Sequence, residues 1–359
     1  MTWGEGYGFV VRERRMSAAG TKKTIRRLIG QKMLVPVPSP CIDKAVDLQA
    51  GPRLLEAIPK AVNRWHPVIL KALDEGVARL SPRAIAAVAV RPSDGAILAM
   101  STRPTFDPNR FIGGIPAAYY TQLLSDPRRP LLNKALQGRY PPGSTWKLAT
   151  AVTALEQGII KMDDRMPVPC TGGYQYGNRF FKCHLARGHG SLALAGAIEQ
   201  SCDVYFYQLA LKMHLPQLVA GGVRLGSGGR SGIDLPNDSR PEYPSAPVAE
   251  YFNRKYGPRG WAGDGPALNL AIGQGENAQT VVNVARFYTA LANGGEAAQP
   301  RVVHGEPVKA RLFTLDSATL AGLRGALAGV VSRGTAASAR SGRRLLTRSR
   351  PARRHPADA

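Results

Sequence analysis

Apolar residues recur at helical spacing along much of the chain, and one stretch is apolar almost all round. This stretch, 146–155, follows the rigid turn Pro141-Pro142-Gly143 and ends before Gly158. The turn and the glycine predict a helix that starts near Ser144 and stops at Gly158. Because the stretch has almost no polar face, we predict that this helix is buried in the middle of a domain.

Other patterns predict further elements. The apolar runs 84–91 and 96–101 flank a Pro-Ser-Asp-Gly turn, which predicts a β-hairpin in a sheet covered on both faces. A short apolar run at 266–272 is interpreted as a strand. The remaining predictions are helices at 43–80, 195–213 (broken by Ser201-Cys202-Asp203), 281–291 and from Asp316 or Ser317 to Val330, and turn-rich segments at 105–130 and 226–247.

The charge is strongly positive and unevenly distributed. The formal net charge is +23, and the segments 1–34 and 340–359 each carry +6 of it. Such basic ends without periodicity are typical of solvated arms. We therefore divide the chain into an irregular basic segment (1–44), one folded domain (45–338) and a basic disordered tail (339–359). No zinc finger, RNP or helix-turn-helix pattern accompanies the charge, so we expect no specific nucleic-acid binding.

The first 40 residues contain no apolar run long enough for a membrane span or a signal peptide. The expectation is a cytoplasmic chain or a piece of a longer protein.

Ser144 and Lys147 carry the most suggestive chemistry. At spacing i, i+3 their side chains share one helix face. A lysine amine that is removed from water can accept a proton from a serine, and a helix N-terminus offers a backbone N–H for a developing oxyanion. The alternative is a helix-capping serine followed by a solvated lysine, because the S-x-x-K pattern is common by chance.

Several motifs in order carry a family resemblance. The chain resembles the transpeptidase domain of penicillin-binding proteins in three motifs, Pro142–Lys147, Ser201–Phe206 and Gly273-Gln274-Gly275. Further matches lie at 94–100, 130–137, 232–236 and 289–294. The similarity covers about residues 45–338 and is greatest to the class B, elongation-specific penicillin-binding protein 2 type. The resemblance implies an α/β (α+β) fold like that of the serine β-lactamases, with a central antiparallel sheet and an all-helical subdomain.

The resemblance also implies roles for single residues. Ser144 would attack the D-alanyl-D-alanine carbonyl of a peptidoglycan stem peptide, with Lys147 as its base. Ser201 would relay a proton to the leaving amine, and Asp203 occupies a position where many relatives have asparagine. Penicillin and other β-lactams would acylate the same serine. No cofactor is required, and the family acts at the periplasmic face of the inner membrane with elongation-complex proteins such as a SEDS glycosyltransferase.

One family element is missing from the printed sequence. The Lys-Ser/Thr-Gly-Thr motif, which binds the substrate carboxylate and supplies an oxyanion N–H, has only Arg333-Gly334-Thr335-Ala336 as a candidate. We expect that the chain is truncated or runs out of frame after Ala339, without the last strands, and that its activity is impaired. The alternatives are a D,D-carboxypeptidase or β-lactamase-like hydrolase, or a non-catalytic basic fragment.

Three cysteines and a histidine suggest a metal site. Cys170, Cys183, His189 and Cys202 would form a Cys₃His set suited to structural zinc, with His184 as the rival ligand to His189. Some penicillin-binding protein 2 members resemble this arrangement, with the middle residue of the S-x-D motif as the last ligand. A disulfide or free thiols are the competing interpretation.

Overall fold

Helices dominate the architecture, and the strands form short antiparallel pairs. The computed structural model describes residues 2–3, 9–10, 84–111, 114–245, 247–261, 263–303 and 305–337. The helices in these ranges are α1 (Ala117–Ser125), α2 (Lys147–Glu156), α3 (Leu194–Glu199), α4 (Asp203–Arg224), α5 (Val248–Tyr256), α6 (Gly265–Ala271), α7 (Val281–Ala292) and α8 (Ser317–Ser332). The strands are β1 (Thr2–Trp3), β2 (Phe9–Val10), β3 (Ile85–Val90), β4 (Ile97–Arg103), β5 (Gly173–Tyr176), β6 (Arg179–Lys182), β7 (Glu296–Ala298) and β8 (Lys309–Arg311).

Helix α2 lies at the centre of the protein, as its uniformly apolar sequence predicts. Every residue from Lys147 to Ala154 is buried. The helix packs against α4, and α4 packs against α6. Gly158 follows with a φ of 68°, a left-handed conformation that glycine adopts without strain and that ends the helix. Each fully buried Val, Leu or Phe of this core contributes roughly 1.5–3 kcal/mol.

Helices α3 and α4 are separated where the sequence predicts a break. Helix α3 ends at Glu199, and α4 begins at Asp203. Helix α4 then continues beyond the predicted end, with a kink at His214, whose φ is 60° and ψ is 154°. Pro216 accounts for this kink, because proline removes a backbone donor and crowds the preceding turn.

The predicted hairpin is confirmed as β3 and β4. The two strands pair antiparallel from Ile85↔Arg103, with an irregularity at Ala89/Val90. Asp94 in the turn accepts a hydrogen bond from the backbone N–H of Ala96 at 3.1 Å. The expectation that both sheet faces are covered is wrong for β3, whose six residues are all partly exposed. Helix α7 packs against β3, and the described residues add no further strand to this pair.

One other sequence prediction needs correction. The run 266–272 is not a strand but forms most of α6, because Pro266 fits the first turn of a helix and the run is too short for periodicity to decide. The turn-rich segment 105–130 also contains α1. The predicted helices at 281–291 and after Asp316 are confirmed as α7 and α8, and Asp316 accepts a hydrogen bond from Thr319 N–H at 2.9 Å as the N-cap.

The predicted helix at 43–80 and the basic tail lie outside the described residues, and the domain boundaries stay a prediction. Across the parts of the chain with described structure, no helix combines the length and the hydropathy needed to cross a bilayer.

Candidate active site

Lys147 lies at the first residue of α2 and is only 2% exposed. Its amine donates hydrogen bonds to the backbone oxygen of Ser201 at 2.7 Å, to Ser201 Oγ at 2.9 Å and to Asp203 Oδ1 at 2.7 Å. The alternative of a solvated lysine is therefore wrong. A buried ammonium of this kind requires a carboxylate nearby, and Asp203 provides it.

Ser144 lies one turn before Lys147, in a 3₁₀ turn that spans Gly143–Trp146. It is exposed, and its side chain does not cap the helix. The structure thus brings Lys147, Ser201 and Asp203 into hydrogen-bond contact. Ser144 Oγ makes no hydrogen bond to Lys147 Nζ within the described residues. The hydroxyl is left open to a molecule that enters from solvent.

The backbone of Ser201 is what aims this residue at the lysine. Ser201 has a φ of 52°, which a residue with a side chain adopts at a cost of about 1–2 kcal/mol. The strained turn is held by hydrogen bonds from Ser201 N–H to Ile198 O at 3.1 Å and from Cys202 N–H to Ala197 O at 2.9 Å. It reverses the chain between α3 and α4, so that both oxygens of Ser201 face Lys147.

Asp203 is held on two sides. Its Oδ1 pairs with Lys147, and its Oδ2 accepts a hydrogen bond from the backbone N–H of His184 at 3.0 Å. An aspartate in the first turn of α4 also interacts favourably with the helix dipole. The contribution of His184 could not be found from the sequence, because every residue except proline carries the same N–H group.

The four residues of the predicted metal site come together. His189 Nδ1 lies 3.6 Å from Cys170 Sγ and 3.5 Å from Cys183 Sγ. The ligand atoms of these three residues and of Cys202 all lie within 4.8 Å of one another. The three cysteines are free thiols, so the predicted alternative of a disulfide is not formed among them. A hydrogen bond between Cys202 and Cys183 lowers the pKa of the Cys183 thiol and raises the pKa of the Cys202 thiol.

Backbone pairing explains why these distant residues meet. Cys170 and Gly190 exchange two backbone hydrogen bonds of 2.9 Å, which fixes the loop that carries His189. Cys183 follows β6, and Cys202 lies at the N-cap of α4. His184, the rival ligand, is exposed, and its Nδ1 lies 4.0 Å from Cys183 Sγ. Cys202 connects this cluster to Ser201 and Asp203 directly through the chain.

The Gly273-Gln274-Gly275 turn has a structural role beside the cleft. Gly273 O accepts a hydrogen bond from Gly143 N–H at 2.9 Å. A Cβ at Gly273 would come within 2.3 Å of Gly143 O, so only glycine permits this approach. The aromatic residues Tyr205, Phe206 and Tyr207 are buried core residues, as we expected.

The candidate for the third motif does not lie on a strand. Residues 333–336 form the turn after α8, where Thr335 N–H donates to Glu199 O at 3.1 Å and Arg333 Nε donates to Glu199 Oε2 at 2.9 Å. These contacts hold the segment against the end of α3.

Comparison with known proteins identifies the class. The family model described as penicillin binding protein transpeptidase domain matches residues 85–346. The chain therefore belongs to the penicillin-binding protein transpeptidase family, a family of serine-type enzymes of peptidoglycan synthesis, and the predicted fold class is confirmed.

The individual relatives show which members of the family this chain is similar to. The peptidoglycan D,D-transpeptidase MrdA of Salmonella typhimurium is 32% identical over 256 residues, which cover 71% of this chain and 40% of that protein. The penicillin-binding protein PBP2 of Helicobacter pylori, solved in complex with MreC, superposes with a TM-score of 0.68 at 27% identity over 77% of this chain and 51% of that one.

PBP2 of Pseudomonas aeruginosa, solved with the compound WCK 5153, superposes with a TM-score of 0.66 at 31% identity, over 79% of this chain and 60% of that one. The chain thus spans less than half the length of the MrdA relative, and the findings support a PBP2-type transpeptidase fragment.

Proposed function

We propose that this chain acts as a peptidoglycan D,D-transpeptidase with Ser144 as its nucleophile. The observation that carries the proposal is the buried Lys147 amine, held at 2.9 Å from Ser201 Oγ one turn after an exposed Ser144. A hydroxyl open to substrate beside a buried amine is the arrangement that nucleophilic catalysis by serine requires.

In the first half of the reaction, Ser144 Oγ forms an ester bond with the carbonyl carbon of the penultimate D-alanine. Lys147, in its neutral amine form, takes the serine proton, and the peptide C–N bond breaks. Ser201 passes its proton to the leaving amine, which departs as free D-alanine, and regains a proton from Lys147. The backbone N–H of Ser144, at the start of its 3₁₀ turn, would stabilise the oxyanion that precedes bond cleavage.

In the second half, the amine of a neighbouring stem peptide attacks the ester carbonyl. A new amide bond forms, the ester bond to Ser144 breaks, and the proton lost by the amine returns to the serine. Asp203 does not contact the substrate in this scheme. It holds Lys147 in place through the 2.7 Å ion pair.

Labelling with a fluorescent penicillin tests the nucleophile. We expect covalent labelling of the wild-type chain and none of Ser144→Ala. Ser125→Ala, which removes another exposed serine hydroxyl, serves as the matched control and should label like the wild type. Labelling that persists in Ser144→Ala would refute the proposal. Analysis of the products from a stem peptide and an amine acceptor separates cross-linking from hydrolysis.

We propose that the missing third motif makes this acylation slow. The printed sequence offers no Lys-Ser/Thr-Gly strand, and residues 333–336 lie in a turn against α3. Loss of one oxyanion donor costs about 10²–10³ in rate. The expected acylation rate is lower by this factor than that of a PBP2 domain with the motif. An acylation rate equal to that of such a domain would contradict the proposal of slow acylation.

We further propose that Cys170, Cys183, His189 and Cys202 hold a structural zinc ion. A tetrahedral zinc with ordinary Zn–S and Zn–N bonds keeps sulfur and nitrogen about 3.6 Å apart. The two measured distances from His189 Nδ1, 3.6 and 3.5 Å, fit this value. When bound, the metal would tie the loops of Cys170, Cys183 and His189 to the start of α4, next to Asp203.

Metal analysis of protein purified without chelator tests the zinc site. We expect one zinc per chain, lost in His189→Ala. The matched control is His184→Ala, because the rival histidine is exposed and its backbone N–H to Asp203 survives the substitution. Absence of zinc from the wild type, or equal loss in both variants, would contradict the site.

The substrates and partners follow from the family and are proposed on that basis. We propose peptidoglycan stem peptides and β-lactams as ligands, and membrane proteins of cell-wall elongation, including an MreC-like protein and a SEDS glycosyltransferase, as partners of the full-length protein. The H. pylori relative was solved with MreC. The corresponding location is the periplasmic face of the inner membrane.

A further inference from the structure

An open cavity with a volume of about 540 Å³ is lined by four arginines, and none of the candidate catalytic or metal residues lines it. Arg139 precedes the turn before α2, Arg230 and Arg240 lie in the turn-rich segment after α4, and Arg286 lies on α7. Tyr243 lines the same cavity, together with Val223, Pro241 and Pro244. The lining of the cavity therefore combines four cationic side chains with apolar ones.

The four guanidinium groups have no carboxylate partner. None of them forms an ion pair in the part of the chain that the structure describes. The single acidic residue of the lining, Glu242, is already paired with Lys255 at 2.9 Å. Backbone oxygens orient two of the arginines: Arg240 Nε donates to Gly228 O at 2.8 Å, and Arg230 donates to Asp238 O. The positive charge of the lining is thus uncompensated.

Arg286 is the clearest case of a guanidinium without a compensating carboxylate in the described part of the chain. It is half-buried, its side chain donates no hydrogen bond to the described residues, and its Nε is closed off from solvent. The chain at Gly226 passes so close that a Cβ there would lie 2.9 Å from Arg286 Nη1. Burial without a counter-ion lowers the pKa of Arg286. A guanidinium placed in this way is costly for the fold unless an anion compensates it.

We propose that this cavity binds an organic ligand that carries a phosphate or diphosphate group. A phosphate carries up to two negative charges and three acceptor oxygens, and arginine pairs with it through two parallel hydrogen bonds. Four guanidiniums in the lining of one cavity favour a ligand with such concentrated charge. The volume lies within the range of about 300–1,000 Å³ that is usual for small-molecule sites, and the lining by Tyr243 and the prolines suits the organic part. This site is independent of the proposed transpeptidase chemistry.

Isothermal titration with inorganic diphosphate, at a fixed ionic strength of about 150 mM, tests the site. We expect Arg286→Gln to weaken binding about tenfold or more, because a hydrogen bond to a charged group is lost. Arg254→Gln removes the same charge from the exposed surface of α5, outside the cavity lining, and should change the affinity less than twofold. This control separates binding in the cavity from the general electrostatic attraction of diphosphate to a chain with a net charge of +23.

Arg139→Gln provides a second variant that cannot disturb the core, because Arg139 is exposed. It should weaken diphosphate binding while the circular dichroism spectrum stays that of the wild type. Equal affinities for the wild type, Arg286→Gln, Arg139→Gln and Arg254→Gln would overturn the proposal, as would the absence of diphosphate binding to the wild type.

Vesicles distinguish a soluble ligand from a lipid headgroup. Phosphatidylcholine vesicles with and without phosphatidic acid are compared in a flotation assay. Binding that requires phosphatidic acid and Arg286 assigns the site to a phospholipid headgroup. Diphosphate binding that depends on Arg286, without vesicle binding, assigns it to a soluble phosphorylated compound.

Discussion

Lys147 and Arg286 are two cations that the fold removes from water in opposite ways. Lys147 is 2% exposed and has a carboxylate at 2.7 Å and two further oxygens within 2.9 Å. Arg286 is half-buried, and its guanidinium has no hydrogen-bond partner in the described part of the chain. The first charge is compensated inside the protein, whereas the second is left for a ligand to compensate.

The difference shows that the free-energy cost of burying a cation is offset differently at the two sites. Burial of an ion costs several kcal/mol before its interactions are counted. At Lys147 the partners are built in, so the ammonium is held in one position. At Arg286 the missing partner leaves a cation that an anion from solution can stabilise. The inference of an anion site depends on this contrast.

Removal of the carboxylate should have the largest effect. Asp203→Ala leaves Lys147 buried without a counter-ion, and we expect the free energy of unfolding to fall by about 3–5 kcal/mol. Denaturant unfolding measures this value. The double variant Asp203→Ala/Lys147→Met should regain most of the stability but none of the penicillin labelling. If Asp203→Ala is as stable as the wild type, the ion pair does not compensate the charge, and the comparison fails.

A smaller effect of opposite sign is expected at Arg286. Arg286→Met removes a partly buried donor that has no partner, so the free energy of unfolding should rise by about 1 kcal/mol in the absence of ligand. Arg254→Met on the exposed face of α5 should stay within about 0.5 kcal/mol of the wild type. A loss of stability in Arg286→Met would show that the guanidinium is satisfied within the fold.

A third effect depends on pH and concerns Lys134, a buried cation that donates to backbone oxygens, to Arg129 O at 2.8 Å and to Pro104 O at 3.3 Å. Burial lowers its pKa from 10.5 to about 8. Between these pH values the unfolded chain binds the proton and the folded chain does not. The contribution of Lys134 to the free energy of unfolding therefore rises with pH in this window.

Denaturant unfolding at pH 7.5 and pH 10 checks the prediction for Lys134. The stability of the wild type relative to Lys134→Met should be higher at pH 10. Lys161→Met, which removes an exposed lysine, should show no such change relative to the wild type. Parallel pH curves for the wild type and Lys134→Met would contradict the assigned pKa.

Local patterns predicted the parts of the fold that depend on neighbours in the chain. The helix after Pro141-Pro142-Gly143 and the break at Ser201 were found because turns and caps involve residues a few positions apart. The run 266–272 was misassigned, because a run of seven mostly apolar residues suits a strand and a buried helix equally well. The partial exposure of β3 was missed, since the sequence pattern of a strand does not record which elements pack against it.

The candidate site divides in the same way. Ser144, Lys147, Ser201 and Asp203 were singled out from their motifs, and the last three meet in the structure. The His184 N–H that holds Asp203 has no signal in the sequence. The arginine cavity has no signal in the sequence either. The arginines at 139, 230, 240 and 286 are four among 48 basic residues, and only the fold brings them to one cavity.

The amino-acid sequence by itself determined the family, the buried helix α2 and the residues with chemical potential, because these depend on side-chain identity and on spacing along the chain. Tertiary structure alone decided which charges have partners. The energy of a buried ion depends on atoms within a few ångströms, and those atoms come from segments more than 50 residues apart, as Lys147 and Asp203 do. That no such atom lies beside the Arg286 guanidinium among the described residues is equally decided by the fold.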